Sequence, residues 1–169
     1  QFDYVDPKNR KVQIEMETAV TSHLAALGAL VDTSRYPTPD FSAGEFPVTA
    51  SVIIPVRNRA KTIRDAVESA LSQACEFRFN VIVVDNHSTD GTSEILAEMQ
   101  SNPLLVVITP EINTLGIGGC WNEAVNSKHC GRFAVQLDSD DLYSSPATLQ
   151  TIVDAFYAQK AAMIVGSYR

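Results

Sequence analysis

Val81-Ile82-Val83-Val84-Asp85-Asn86-His87-Ser88-Thr89-Asp90-Gly91-Thr92 decides how this chain folds. Its four leading apolar residues do not alternate with polar ones, so a strand made of them must be buried on both faces, as in a parallel sheet. The polar residues that follow suit a turn and a helix start, with Asp90 or Thr92 as the expected N-cap. A helix is expected over 92–101, with Ile95, Leu96 and Met99 facing inward.

The same alternation repeats on either side. A short strand over 51–54, closed by Pro55, precedes a helix over 61–74 carrying Ile63, Ala66, Val67, Ala70 and Leu71 at helical spacing. A strand over 104–109 leads to a helix marked by Ile117, Cys120, Trp121, Ala124 and Val125, with Trp121 read as core. A strand over 132–137, a helix over 146–159 and a last strand over 162–166 complete the pattern. The expected class is α/β: a mostly parallel central sheet flanked by helices on both faces.

The first 46 residues read differently. Residues 11–31 carry Val20, Leu24, Leu27 and Val31 at helical spacing, and 32–47 collect Pro37, Pro39, Gly44 and Pro47 as a linker. The helix is expected to pack on its own domain, with pairing to another chain or to a preceding region as alternatives. The domain reading is a helical extension and linker over 1–46 and a ligand-binding part over 47–169.

At 169 residues with 45% apolar content, the chain can bury a real core. Its net charge of −7 argues against non-specific nucleic-acid binding, which needs basic surface. Cys75, Cys120 and Cys130 are odd in number and widely spaced, which suits reduced thiols in the cytoplasm better than a disulfide framework or a zinc site. No signal peptide or membrane span is visible, and Gln1 in place of a start methionine suggests a piece of something longer.

In parallel sheets ligands bind outside the carboxyl ends of the strands. Here those ends carry Pro55-Val56-Arg57-Asn58, Asp85-Asn86-His87-Ser88, the loop 110–116, and Asp138-Ser139-Asp140-Asp141. Extended backbone would send Asp138 and Asp140 the same way and Asp141 the other. Paired carboxylates repel unless a cation sits with them, and hard oxygens with few other ligands suit Mg²⁺ or Mn²⁺ shared with substrate phosphates. Asp85 can accept from a base-ring N–H, and the Asn86 amide can pair with base or sugar groups. Arg57 and Arg59 suit a pyrophosphate as well as they suit an exposed loop. The segment Leu115-Gly116-Ile117-Gly118-Gly119 lacks dinucleotide-fingerprint spacing and reads as a loop and helix start where backbone approaches a neighbour closely.

Val52-Ile53-Ile54-Pro55-Val56-Arg57-Asn58, then the stretch 81–92, then Leu137-Asp138-Ser139-Asp140-Asp141 resemble the inverting family 2 glycosyltransferases of the GT-A fold over about 48–166. The resemblance implies a Rossmann-like sandwich of which this chain holds the donor-binding part, ending after the Asp-x-Asp half. It implies that Pro55, Val56, Arg57, Asn58, Asp85 and Asn86 hold the base and ribose, and that Asp138 and Ser139 lie near the ribose and diphosphate. Asp140, with Asp138, would ligate Mn²⁺ or Mg²⁺. The reaction implied is metal-dependent transfer from a nucleotide-diphosphate sugar, commonly a uridine one, to a carbohydrate or lipid-linked acceptor hydroxyl. The family's general base lies further on than Arg169, so no catalytic residue is nominated and the piece alone is expected to transfer little. For the full-length protein the inner face of the membrane is open as a location beside the cytoplasm.

Three positions depart from the family pattern. Asn86 stands where a second Asp is usual, His87 where Gly is usual, and Trp121 where Arg is common. Two other readings compete. A nucleotidyltransferase would carry a glycine-rich basic loop after its first strand, and 55–59 has no glycine. A binding module that keeps the donor pocket without chemistry is compatible with the departures at His87 and Trp121.

Overall fold

The structure, a computed structural model, describes residues 7–166. Its helices and strands run α1 (Arg10–Ala26), β1 (Ala50–Val56), α2 (Ile63–Leu71), β2 (Phe79–Asp85), α3 (Thr92–Met99), β3 (Leu105–Ile108), α4 (Ile117–Val125), β4 (Phe133–Gln136) and α5 (Thr148–Gln159). The four strands form one sheet in the order β3-β2-β1-β4, and every pairing is parallel.

Strand parity sorts the core into two layers. Val52, Ile54 and Val56 of β1, with Val81 and Val83 of β2, pack with Ile63 and Val67 of α2, Leu96 of α3, and Leu149 and Val153 of α5. Ile53, Ile82 and Val84 point the other way, onto Cys120 and Ala124 of α4. Because both faces of β1 and β2 are covered, their sequences are unbroken apolar runs. Coverage stops at β4. Phe133 and Val135 are buried but Ala134 and Gln136 are exposed, so the expectation of helices over both whole faces holds only for the inner strands.

Pro55 does not close β1, as the sequence suggests, but lies within it opposite Val84. Ile53 bonds toward β4, its carbonyl accepting from Leu137 at 3.1 Å. Pro55, two residues on, faces the same side, and the β4 ladder has ended at the Ile53–Gln136 pair. The N–H that proline lacks is therefore not needed.

Residues 162–166 form no strand. Met163 and Val165 stand 76% and 82% exposed, and no neighbouring strand among the described residues offers them a ladder. At the amino edge of the sheet, the Ser51 hydroxyl donates to Asn80 Oδ1 at 2.6 Å and accepts from the Gly131 amide at 2.7 Å. Gly131 is needed there, since a Cβ would fall 2.9 Å from the Ala50 carbonyl carbon.

The chain divides into two compact units, residues 1–38 and 39–169. The second unit begins before the expected boundary at 46 because Phe41 packs edge-on against Phe133 and Tyr157, at 5.2 and 5.5 Å between ring centres. In the first unit α1 buries none of its residues, and Val20 and Leu27 stand 55% and 65% exposed. The helix carries Val20 and Leu24 but ends at Ala26, short of the expected 31, so Leu27 and Val31 lie beyond it. No helix among the described residues is long and apolar enough to cross a membrane.

Candidate functional site

Chain order and spatial order disagree at one place. β1 leads to β2 and β3 on one side, and the chain then returns through α4, on the opposite face, to set β4 on the other side of β1. Such a reversal leaves a crevice at the carboxyl ends of the two strands that flank it. The ends of β1 and β4 carry Arg57, Asn58 and Arg59 on one side and Asp138, Ser139 and Asp140 on the other.

The loop after β1 is stitched to the loop after β2. Asn58, with φ of 55°, donates its amide to Ser88 Oγ at 2.9 Å and accepts from the Thr89 amide at 2.8 Å. The Arg59 amide donates to Thr92 Oγ1 at 2.9 Å, and the Ala60 amide to Asp90 Oδ2 at 3.1 Å. Asp90 also accepts from the Thr92 amide at 3.1 Å and hydroxyl at 2.6 Å. The Thr92 hydroxyl and these amides hold the Asp90 carboxyl below the ordinary carboxylate range. Asp90 thus supports the start of α3, but the N-cap position itself belongs to Gly91, whose φ of 99° suits glycine.

Asp85 is 3% exposed and already engaged through both oxygens. Oδ1 accepts from the Ser88 amide at 3.0 Å and Oδ2 from the Ser93 hydroxyl. Its first task is to shape the loop after β2. Asn86, 5% exposed, differs: its Nδ2 donates to the Leu115 carbonyl, and its Oδ1 is buried with no partner. A buried acceptor left unpaired in a native fold calls for an explanation.

Val56 packs its side chain into the core, so only its backbone is free to meet a ligand, and its carbonyl accepts from the Asn86 amide at 2.9 Å. Pro55 is half-buried, while Arg57 and Asn58 are exposed. Trp121 is half-buried against the α4-side core, as expected. Around the glycine-rich segment, Gly116 and Gly118 face open space, and a Cβ on Gly119 would strike only its neighbour Leu115. The contact at Gly119 is with the Leu115 side chain of its own segment, not with the neighbouring helix that the expectation named.

The acidic segment is a turn, not extended backbone. β4 ends at Gln136, and the Asp141 amide donates to the Asp138 carbonyl at 3.1 Å. Aspartate and serine favour such turns, so the alternation argument for Asp138 and Asp140 does not apply. Ser139 is 8% exposed, and Asp138 accepts from Gln136 Nε2 at 2.9 Å. Asp140 is more open, its side chain 55% exposed, and its Oδ2 lies 3.8 Å from Arg59 Nε across the crevice.

Among the described residues no three His, Cys, Asp or Glu side chains gather as a metal cage. Asp138, Asp140 and Asp141 offer hard oxygens from one turn, with Asp140 facing Arg59 across the strand ends. That donor set fits Mg²⁺ or Mn²⁺, which take one or two carboxylates and fill their remaining positions with water and phosphate oxygens.

Cavities of about 310 and 360 Å³ lie at the opposite, amino edge of the sheet, against Phe46, Pro47 and Arg132. The Arg132 guanidinium is spent on the Ala43 and Gly44 carbonyls at 2.6 and 3.0 Å, and no strand-end carboxylate reaches these cavities.

Residues 51–169 match the model of the family described as Glycosyl transferase family 2. This chain belongs to that family. Over 107 residues it is 38% identical to a chondroitin synthase of Escherichia coli, covering 63% of this chain and 15% of the relative. It is 36% identical over 101 residues to the poly(ribitol-phosphate) beta-N-acetylglucosaminyltransferase TarS of Staphylococcus aureus, covering 59% and 17%. A crystal structure of S. aureus TarS 1–349 in complex with UDP-GlcNAc superposes with a TM-score of 0.52 at 29% identity, over 65% of this chain and 31% of that one. The chain thus spans less than a fifth of the length of the two curated relatives, and the fold is the GT-A-like sandwich that the resemblance implies.

Proposed function

We propose that this chain binds a nucleotide-diphosphate sugar, a uridine diphosphate sugar in the first place, in the crevice between the ends of β1 and β4. The protein would pass the sugar to a hydroxyl of a carbohydrate or lipid-linked acceptor, as the relatives' names suggest for polysaccharide synthesis. The observation that carries the reading is the Arg59–Asp140 approach across the switch in strand order, which brings cationic and acidic loops from opposite sides of the sheet to one place. The UDP-GlcNAc complex of TarS supports the choice of donor.

The roles follow from what each side chain has left to offer. Asn86 holds a buried, unpaired Oδ1 at the end of β2, suited to accept an N–H of the base. Asp85, through its remaining lone pairs, and the backbone of Pro55, Val56 and Asn58 line the base and ribose. Ser139 and Asp138 sit where ribose and diphosphate would lie, and Arg57 and Arg59 supply positive charge to the phosphates. Asp140 with Asp138 would hold Mn²⁺ or Mg²⁺, which supplies charge neutralisation for the departing diphosphate. The second unit, 39–169, would act as the donor-binding part, with the first as an extension. A cytoplasmic setting is part of this reading and rests on the odd number and wide spacing of the cysteines in the sequence.

A donor-binding module without transfer is the second reading, favoured by Trp121, which packs half-buried against the core where the resemblance implies an arginine. A thermal-shift screen of uridine, guanosine, cytidine and adenosine diphosphates, with and without Mn²⁺, tests the donor site. Ligand at about a hundred times its dissociation constant adds roughly 2.7 kcal/mol, a readable shift. A metal-dependent shift with uridine diphosphate is expected, and no shift with any of the four contradicts the proposal. Sugar release assays on the full-length protein separate enzyme from module.

A further inference from the structure

Three side chains from the ends of β1 and β2 converge on one exposed loop. Arg57 Nη1 donates to the Asn113 carbonyl at 3.3 Å, Asn86 Nδ2 donates to the Leu115 carbonyl, and His87 Nε2 lies 2.9 Å from the Pro110 carbonyl. All three acceptors belong to residues 110–116, which join β3 to α4. Residues 111–114 are exposed, with Ile112 at 59%. Between the buried Pro110 and Leu115, which packs against the α4-side core, the middle of the loop buries little of its own, and these side chains help to orient it.

His87 stands out among the three. A carbonyl can only accept, so the imidazole carries its proton on Nε2 here. The residue has φ of 57°, a conformation in which a side chain is disfavoured and glycine is at ease. This chain keeps a side chain in a glycine conformation and uses it to reach a neighbouring loop. Backbone held in a sparsely populated region tends to persist where surrounding contacts fix it for a purpose.

We infer that His87 is a positioning residue that latches the loop 110–116 to the end of β2. The latch holds the loop's carbonyls against Arg57 and Asn86. That fixes the Asn86 amide with Nδ2 toward Leu115 and leaves Oδ1 as the free acceptor. The link to donor binding rests on the function proposed above; the latch itself does not.

The test compares His87→Gly and His87→Gln with the wild-type chain. Glycine removes the imidazole and suits the backbone, so this variant should fold. Glutamine carries an N–H close to the position of Nε2 and should restore the latch. The first readout is amide hydrogen exchange over 111–118 without ligand. Losing one such hydrogen bond should speed exchange there by about fivefold to tenfold in His87→Gly, with β1 and β2 unchanged and His87→Gln near wild type. The second is affinity for uridine diphosphate with Mn²⁺, expected to weaken several-fold in His87→Gly and to recover in His87→Gln. Equal exchange in wild type and His87→Gly overturns the latch. Faster exchange with unchanged affinity overturns its role in donor binding. If the wild-type chain binds no nucleotide, the donor reading fails, and the exchange comparison alone decides the latch.

Discussion

Arg59 Nε lies 3.8 Å from Asp140 Oδ2, joining the loop after β1 to the turn after β4. Both side chains are about half exposed, so the pair contributes little to stability, about 1 kcal/mol or less. Its value is positional. The guanidinium offsets the charge of Asp140, and on the proposed function it would turn to the diphosphate once donor and metal bind. Arg59→Gln is therefore expected to unfold in urea within about 1 kcal/mol of wild type. Its affinity for uridine diphosphate with Mn²⁺ should fall by about tenfold, the loss of one charge-assisted hydrogen bond. Unchanged affinity on titration calorimetry would remove Arg59 from the site.

Gln73 ties the end of α2 to the segment that leads into α5. It is 7% exposed, and its Nε2 donates to the Ser69 and Ser145 carbonyls at 3.2 and 3.0 Å. Its Oε1 accepts from the Leu149 amide at 2.9 Å, in the first turn of α5. Gln73→Ala leaves that amide unpaired and is expected to cost about 2–4 kcal/mol in urea denaturation. Gln73→Glu keeps the acceptor for Leu149 but turns a carboxylate on two carbonyls, so it should not rescue. A loss below about 0.5 kcal/mol in the alanine variant would show that the segment 142–149 is held otherwise.

Asp90 ties the Ala60 amide to the start of α3, and its carboxyl is held below the ordinary value of 3.8 by the Thr92 hydroxyl first and by backbone amides after it. The folded value is depressed, so the contribution is fully present above about pH 4 and is lost as pH falls through the folded value. The Ala60 and Thr92 amide resonances should shift together on acid titration, at a midpoint below that of a free aspartate. In Asp90→Asn that step should vanish. A midpoint at or above 3.8 contradicts the assignment.

Much of this architecture is written locally in the chain. Residues 81–84 are apolar without alternation because β2 lies between two strands and under helices on both faces, and that burial leaves a direct mark on composition. What escaped depends on partners. The stretch 162–166 is apolar enough for a strand, but a strand needs a neighbour, and hydropathy does not report one. Pro55 looks like a terminator until the short β4 ladder is known. The helical spacing of Val20 and Leu24 locates α1 but not its end at Ala26.

The site divides the same way. Asp85, Asn86, Asp138 and Asp140 could be placed at strand ends from the residues alone, because a parallel sheet sends every such end to one edge. The turn at 138–141 and the engagement of both Asp85 oxygens come from short-range hydrogen bonds of polar side chains and backbone, which apolar spacing does not report. His87 could be noticed as a departure from glycine, but its reach to Pro110 shows only in three dimensions.

The central claim is that Asp138 and Asp140 hold a divalent ion together with a nucleotide diphosphate. Paramagnetic broadening by Mn²⁺ in amide spectra of this chain tests it most directly. With uridine diphosphate present, substoichiometric Mn²⁺ should broaden the amides of residues 138–141 and of Arg57 to Arg59. Without nucleotide it should broaden them weakly, and in Asp140→Ala hardly at all, while the fold is retained. Broadening centred elsewhere, or equal broadening in Asp140→Ala, would contradict the account.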